Sequence, residues 1–94
     1  MKTLSDAEIA AVLEREPEWA FADGQLSREW KFKDFVAAME FVNRVAEAAE
    51  KAGHHPDVDI RYNKVRLGLV SHDAGGVTER DARMAADLSR EFPA

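Results

Sequence analysis

The hydrophobic residues of this chain recur at two different spacings, one helical and one alternating, which succeed each other along the sequence. Near the start the spacing is helical, with apolar residues at positions 9, 12 and 13. Ser5 and Glu8 stand just before this stripe with the spacing of a capping box. We therefore predict a short helix over residues 6–15, which Pro17 closes.

Two stretches alternate apolar and polar residues, as half-buried strands do. In the first, residues 19–21 and 26–32 flank Asp23-Gly24, a pair typical of tight hairpin turns. In the second, residues 58–62 and 65–69 alternate on either side of Asn63-Lys64, which we expect to form the turn. The pattern thus predicts two β-hairpins, each with one apolar face.

Between and after the hairpins the spacing is again helical. Asp34 can cap a long helix over residues 34–52, and Thr78 can cap a last helix. The inward positions that we predict are these: Phe35, Ala38, Met39, Val42, Val45, Ala46 and Ala49 in the long helix, and Ala82, Ala85, Leu88 and Phe92 in the last. The predicted order is α-β-β-α-β-β-α, an α+β fold with a four-stranded antiparallel sheet and helices packed on one face.

Composition narrows the class of protein. A chain of 94 residues with 46% hydrophobic and 33% charged residues fits a single domain over residues 1–94. A net charge of −5 argues against binding to nucleic acid, which requires a basic face. The absence of cysteine excludes disulfides and thiolate metal sites, and no apolar run is long enough to span a membrane. We expect a cytoplasmic protein.

The junction between the long helix and the second hairpin carries the most chemistry. Gly53 can end the helix at a positive φ, and Pro56 directs the chain into extended geometry. The adjacent His54 and His55 are thus held between a helix and a strand, with Glu50 one helical turn before His54. A stiff segment with two titratable rings is typical of a functional site.

From Trp19 to Phe92 the chain resembles the pterin-4a-carbinolamine dehydratases. The resemblance is strongest in the Phe32–Phe35, Ala46–Pro56, Tyr62–Val65 and Ser71–Asp81 segments. The family's pattern joins an acidic residue, a His-His-Pro, an aromatic residue, a histidine and an aspartate. Here those positions are Glu50, His54-His55-Pro56, Tyr62, His72 and Asp81.

The resemblance implies loss of water from a tetrahydropterin that bears a hydroxyl at C4a, with no metal or organic cofactor. It implies that His54 and His72 deliver the proton to the leaving hydroxyl, while His55 holds the ring and assists as a base. Glu50 is expected to orient His54. The residues expected to bind substrate are Glu50, Gly53, Pro56, Ser71, Asp73, Arg80 and Asp81. The resemblance also implies a homodimer or homotetramer.

Other interpretations of the same residues stay open. Three histidines with carboxylates nearby can bind a divalent metal, although neighbours on an extended segment, such as His54 and His55, point in opposite directions. Asp81 lies three residues after Thr78 and fits a capping box as well as a pocket. Because animal members of the family also act as dimerisation partners of a transcription factor, a non-catalytic interaction module is the alternative function.

Overall fold

A computed structural model of the chain describes residues 2–93. Its elements, in chain order, are α1 (Asp6–Arg15), β1 (Ala20–Ala22), β2 (Gln25–Lys31), α2 (Phe35–Ala52), β3 (Asp57–Arg61), β4 (Lys64–Leu69) and α3 (Glu79–Glu91). The predicted order α-β-β-α-β-β-α is confirmed. No helix in the described part of the chain is long and apolar enough to cross a bilayer.

The four strands form one antiparallel sheet in the order β1-β2-β4-β3. Strands β2 and β4 present their large apolar residues on the face that the three helices cover, so that Leu26 lies opposite Leu69 and Trp30 opposite Val65. The other face carries polar side chains, among them Ser27 opposite Gly68. The two hairpins are therefore joined through β2 and β4, which places the start of β2 close to the end of β4.

One hydrophobic core fills the space between the sheet and the helices. Leu26, Val65, Leu67 and Leu69 are fully buried there. Trp30 packs against Phe41 of α2 with ring centroids 4.9 Å apart, and its indole N–H donates to the carbonyl of residue 92. Aromatic pairs of this kind add to the stability that burial supplies.

The predicted helix caps are confirmed. Ser5 and Glu8 form the capping box of α1, and the Asp34 carboxylate accepts from the N–H of residue 37 at the start of α2. Thr78 caps α3, and Asp81 completes a second capping box. Such caps satisfy backbone N–H groups that have no partner inside the helix.

Two local predictions are wrong. The buried face of α2 is formed by residues 38, 41, 45 and 49, so the core receives Phe41, while Phe35 is half exposed and Ala46 lies in solvent. The second hairpin turns at Tyr62-Asn63 and not at Asn63-Lys64, because Tyr62 takes a positive φ of 54° and Lys64 already belongs to β4.

Candidate functional site

The site begins where α2 ends. Gly53 adopts the left-handed conformation, with φ 64° and ψ 28°, and its N–H points back to the last carbonyls of the helix. The N–H of His54 donates to the carbonyl of residue 49 at 3.2 Å. Pro56 then leads into β3. Gly53 and Pro56 were predicted as substrate contacts. In the structure they shape the backbone on either side of His54 and His55.

His54 turns towards α3 and meets a buried carboxylate. Its Nε2 lies 2.5 Å from Oδ1 of Asp81, whose side chain is fully buried, whereas that of His54 is 12% exposed. The other oxygen of Asp81 accepts from the Ser71 hydroxyl at 2.9 Å and from the Thr78 N–H at 2.8 Å. Asp81 therefore both completes the capping box of α3 and holds the ring of His54.

His55 points elsewhere and has a carboxylate of its own. Its Nε2 lies 2.5 Å from Oε2 of Glu50, and both side chains are more than half exposed. The prediction that Glu50 orients His54 is therefore wrong for this structure. The helix ends at Ala52 and the left-handed Gly53 turns the chain, so the spacing of four residues no longer places His54 above Glu50.

His72 lies at the far end of the second hairpin, in the loop between β4 and α3. Three successive N–H groups, at positions 74–76, donate to the carbonyl of Ser71 and make the loop compact. Nε2 of His72 is 3.8 Å from Oδ1 of Asp57, the first residue of β3, and both side chains are largely exposed. Ser71 itself is buried and contacts Asp81 and Thr78, so it supports the site from within.

A surface ion pair joins the same loop to α3. The Arg80 guanidinium donates to Asp73 at 2.5 Å, and this hydrogen bond lowers the pKa of the Asp73 carboxyl below its ordinary value of 3.8. Among the described residues, the Nε of Arg80 is a buried side-chain nitrogen without a hydrogen-bond partner. Arg80 also lines a groove in the surface.

That groove runs between α2 and α3. Of the predicted site residues, His54 and Arg80 line it, together with charged side chains that sequence reasoning did not select: Arg44, Glu47, Lys51, Glu79, Arg83, Asp87, Arg90 and Glu91. Helical spacing places such residues on the polar sides of the two helices, and only the packing of the helices shows that these sides meet.

The contacts tie each histidine to a different part of the chain. Asp81 links His54 to Ser71, the neighbour of His72. Asp57 links His72 back to the segment that carries His55. Within residues 2–93 no group of three or more metal-binding side chains converges, and each histidine faces a different carboxylate. Histidine rings paired with carboxylates are a common arrangement for proton transfer.

The fold and site define a small α+β protein with paired histidines and carboxylates around a helix-to-strand junction. The sequence profile of the family described as "Pterin 4 alpha carbinolamine dehydratase" matches residues 2–90. The chain belongs to this family.

Similar proteins extend over nearly the whole chain. A protein of Acidobacterium capsulatum, provisionally named pterin-4-alpha-carbinolamine dehydratase, is 56% identical over 94% of this chain and 96% of its own length. One of the same provisional name from Chloroflexus aurantiacus is 52% identical over 94% and 95%. The family membership supports pterin carbinolamine dehydratase activity, a hydro-lyase reaction.

Solved structures agree with the fold. The crystal structure of a transcriptional coactivator/pterin dehydratase from Brucella melitensis superposes with a TM-score of 0.86 at 36% identity, over 95% of this chain and 97% of that one. A pterin dehydratase-like protein identified as a RuBisCO assembly factor in the alpha-carboxysome has a TM-score of 0.60 at 19% identity, over 77% of this chain and 83% of that one. This second likeness concerns the fold alone.

Proposed function

We propose that this protein eliminates water from a 4a-hydroxytetrahydropterin by general acid–base catalysis with His54, His55 and His72. The product is the quinonoid dihydropterin, so the protein serves to recycle the reduced pterin. The observation that carries the proposal is the 2.5 Å contact between His54 and the fully buried Asp81. A buried carboxylate that orients an imidazole is a recurrent feature of acid–base sites.

The hydrogen bonds of Asp81 support one tautomer of the His54 ring. Its carboxylate accepts from the Ser71 hydroxyl and the Thr78 N–H, so it acts as an acceptor towards His54 too. Nε2 of His54 then carries a hydrogen, and Nδ1 is left for the substrate. Protonated, Nδ1 delivers a proton; neutral, it receives one. Asp81 is in this proposal a positioning residue and not a substrate contact.

The reaction needs two proton transfers at different atoms of the pterin. The C4a hydroxyl takes up a proton and leaves as water. Ring N5 loses its proton, and the electron pair left on nitrogen forms the N5–C4a double bond, so charge and atoms balance. We assign proton delivery to His54 and His72, and ring contact and removal of the N5 proton to His55. The two exposed histidines have room to contact a ligand from the solvent side.

The charged groove supplies the remaining contacts. Arg80 lines the groove, and we assign its guanidinium to a polar edge of the substrate. Asp73 holds the rest of the guanidinium in place. We assign to Glu50 the task of orienting the His55 ring. Ser71 supports the Asp81 carboxylate through its hydroxyl hydrogen bond.

The test is a stopped-flow measurement of dehydration with the wild type, the three single His→Ala variants and the H54A/H72A double variant. General acid–base assistance contributes about 10²–10⁴-fold, so each single variant should lose up to that factor while circular dichroism stays unchanged. The effects should not multiply simply, because the remaining histidines share the task. Glu14→Ala, on the solvent side of α1, is the control and should keep the full rate. A folded double variant with the wild-type rate would remove the histidines from the mechanism.

The alternative function, a non-catalytic interaction module, stays a prediction. The Brucella melitensis structure carries both descriptions, coactivator and dehydratase, at 36% identity. The complete set of histidines, each with its own carboxylate, favours the enzyme. A wild-type protein that is folded but does not accelerate decay of the 4a-hydroxypterin absorbance would favour the module.

We further propose a cytoplasmic homo-oligomer, at least a dimer, that works without a metal. β1 and β3 each pair on one side only in the described chain, and Val58 on β3 is 43% exposed. Such edges are commonly paired or protected. Sedimentation at micromolar concentration should show a species larger than 10.5 kDa. Activity should survive exhaustive chelation, whereas a loss restored by Zn²⁺ would contradict the metal-free mechanism.

A further inference from the structure

The helix-free face of the sheet carries a chain of contacts that ends at His72. Gln25, the first residue of β2, donates from Nε2 to Oδ2 of Asp57 at 2.6 Å. The other oxygen of Asp57 lies 3.8 Å from Nε2 of His72. Gln25 and Asp57 are thirty-two positions apart and lie on strands that are not neighbours.

The contact depends on a glycine in the strand between them. In the register of the sheet, Gly68 of β4 lies opposite Asp57 on one side and Ser27 on the other. A Cβ at position 68 would overlap the carboxamide oxygen of Gln25, so the side chain of Gln25 crosses β4 over Gly68. Only a residue without a side chain leaves this path open.

We propose that Asp57, held by Gln25 across Gly68, is a positioning residue for His72. The inference rests on the proposed function of His72 as a proton donor. Asp57 uses one oxygen for Gln25 and turns the other towards the imidazole, so the strand that follows the His-His-Pro segment fixes the histidine of the β4–α3 loop. At 3.8 Å the pair is longer than a hydrogen bond, and contacts of this kind often tighten when substrate binds.

Position 59 provides a matched control. Asp59 lies two residues further along β3, on the same face of the sheet, and contacts Arg61 at 3.3 Å instead of a histidine. Its side chain is 45% exposed, against 55% for Asp57. Asp59→Asn therefore removes the same charge from the same strand without touching the Gln25–Asp57–His72 chain.

The experiment compares Asp57→Asn, Gln25→Ala, Gly68→Ala and Asp59→Asn by rate and by the mobility of the His72 ring. Asparagine at 57 keeps the shape and can still accept from Gln25, so the fold should persist. We expect Asp57→Asn to lower kcat about three- to tenfold with KM within about twofold, the size expected for a partly exposed pair that strengthens in the complex. Gln25→Ala and Gly68→Ala should lower kcat in the same direction by about two- to threefold. Asp59→Asn should equal the wild type.

A double-mutant cycle separates positioning from a merely structural role. If Asp57 acts through His72, then Asp57→Asn should cause no further loss of kcat in a His72→Ala background. ¹³C relaxation of the His72 ring should also show greater mobility in Asp57→Asn and Gln25→Ala than in the wild type or Asp59→Asn.

The outcomes are distinguishable from failure of the proposed function. An Asp57→Asn variant that matches Asp59→Asn in rate and ring mobility would overturn the inference, as would a loss of kcat that persists undiminished in His72→Ala. If the wild-type protein does not dehydrate the pterin at all, the proposed function fails and ring mobility alone decides. Increased mobility in Asp57→Asn and Gln25→Ala only would then support the contact, and unchanged mobility would overturn it.

Discussion

Replacement of Asp81 tests the centre of the site, because one buried carboxylate serves both the helix and the histidine. Asp81→Ala removes the acceptor of three groups: the Thr78 N–H, the Ser71 hydroxyl and Nε2 of His54. The Ser71 hydroxyl keeps a partner in Thr78. The Thr78 N–H is buried and loses its acceptor, which costs about 1–3 kcal/mol.

The summed destabilisation by Asp81→Ala is large relative to the unfolding free energy of a small protein. The lost bonds to a charged acceptor, together with half of the capping box, give an expected destabilisation of about 3–5 kcal/mol for Asp81→Ala. Asp81→Asn keeps one oxygen acceptor and the shape of the side chain, so we expect about 1–3 kcal/mol. A chain of this length typically has about 5–14 kcal/mol of unfolding free energy, so Asp81→Asn should still fold, whereas Asp81→Ala removes a large part of that stability.

Urea denaturation followed by tryptophan fluorescence measures the effect. With a slope of about 1–2 kcal/mol per molar, a loss of about 3–5 kcal/mol in Asp81→Ala should lower the midpoint by about 1.5–5 M at an unchanged slope. Asp87→Ala is the control, since Asp87 lies on the same helix but contacts Arg90 in solvent, and its cost should stay below about 0.5 kcal/mol.

The rate supplies the second half of the test. In folded Asp81→Asn the ring of His54 loses its fixed acceptor, so dehydration should slow towards the rate of His54→Ala. An equal midpoint for Asp81→Ala and Asp87→Ala would refute the energetic argument. An Asp81→Asn variant as fast as the wild type, with His54→Ala slow, would show that Asp81 does not position His54.

Two further predictions concern the ends of α2 and α3. Gly53→Ala should lower the free energy of unfolding, measured by urea denaturation, by about 1 kcal/mol. Gly53 has a φ of 64°, and no atom lies within 4 Å of the added methyl group, so the cost is conformational and not steric. An unchanged free energy of unfolding would contradict the left-handed cap. The pKa of Asp73 is lowered in the folded state by Arg80, so its contribution is complete above the unfolded pKa and is lost as the pH falls through the folded one. Asp73→Asn should therefore be less stable than the wild type at about pH 6 and equal to it near pH 2, and a difference that grows on acidification would contradict this sign.

Features that depend only on residues close together in the sequence, such as helix caps and turns, were predictable from it. The caps at Ser5, Asp34 and Thr78, the turn at Asp23-Gly24 and the left-handed Gly53 each follow from one residue type at one position. These boundaries, with the two spacings of apolar residues, were enough for the order of helices and strands. The family resemblance is confirmed by the profile match over residues 2–90.

Features that depend on packing were less predictable. The long helix is rich in alanine on several sides, so its sequence allows more than one apolar stripe, and the stripe through Phe41 is chosen because that ring meets Trp30 and Phe32. Tyr62 was assigned to a strand because it continues the alternation of Val58 and Ile60, yet it occupies the turn at a positive φ. Neither choice can be made from local spacing.

The pairing of histidines with carboxylates also depends on packing and could not be predicted from local spacing. Three acids from three elements face three rings: Asp81 of α3, Glu50 of α2 and Asp57 of β3. Only the Asp81 pair is buried, and a buried carboxylate cannot leave its ring without losing its hydrogen bonds, so His54 is held in one orientation. The other two pairs lie largely in solvent, where a single ion pair is weak, although Gln25 holds the Asp57 of the His72 pair from the other side. The proposed reaction protonates the C4a hydroxyl and removes a proton from ring N5. In that proposal the fixed ring of His54 defines where the pterin lies, and the more exposed His55 adjusts to it.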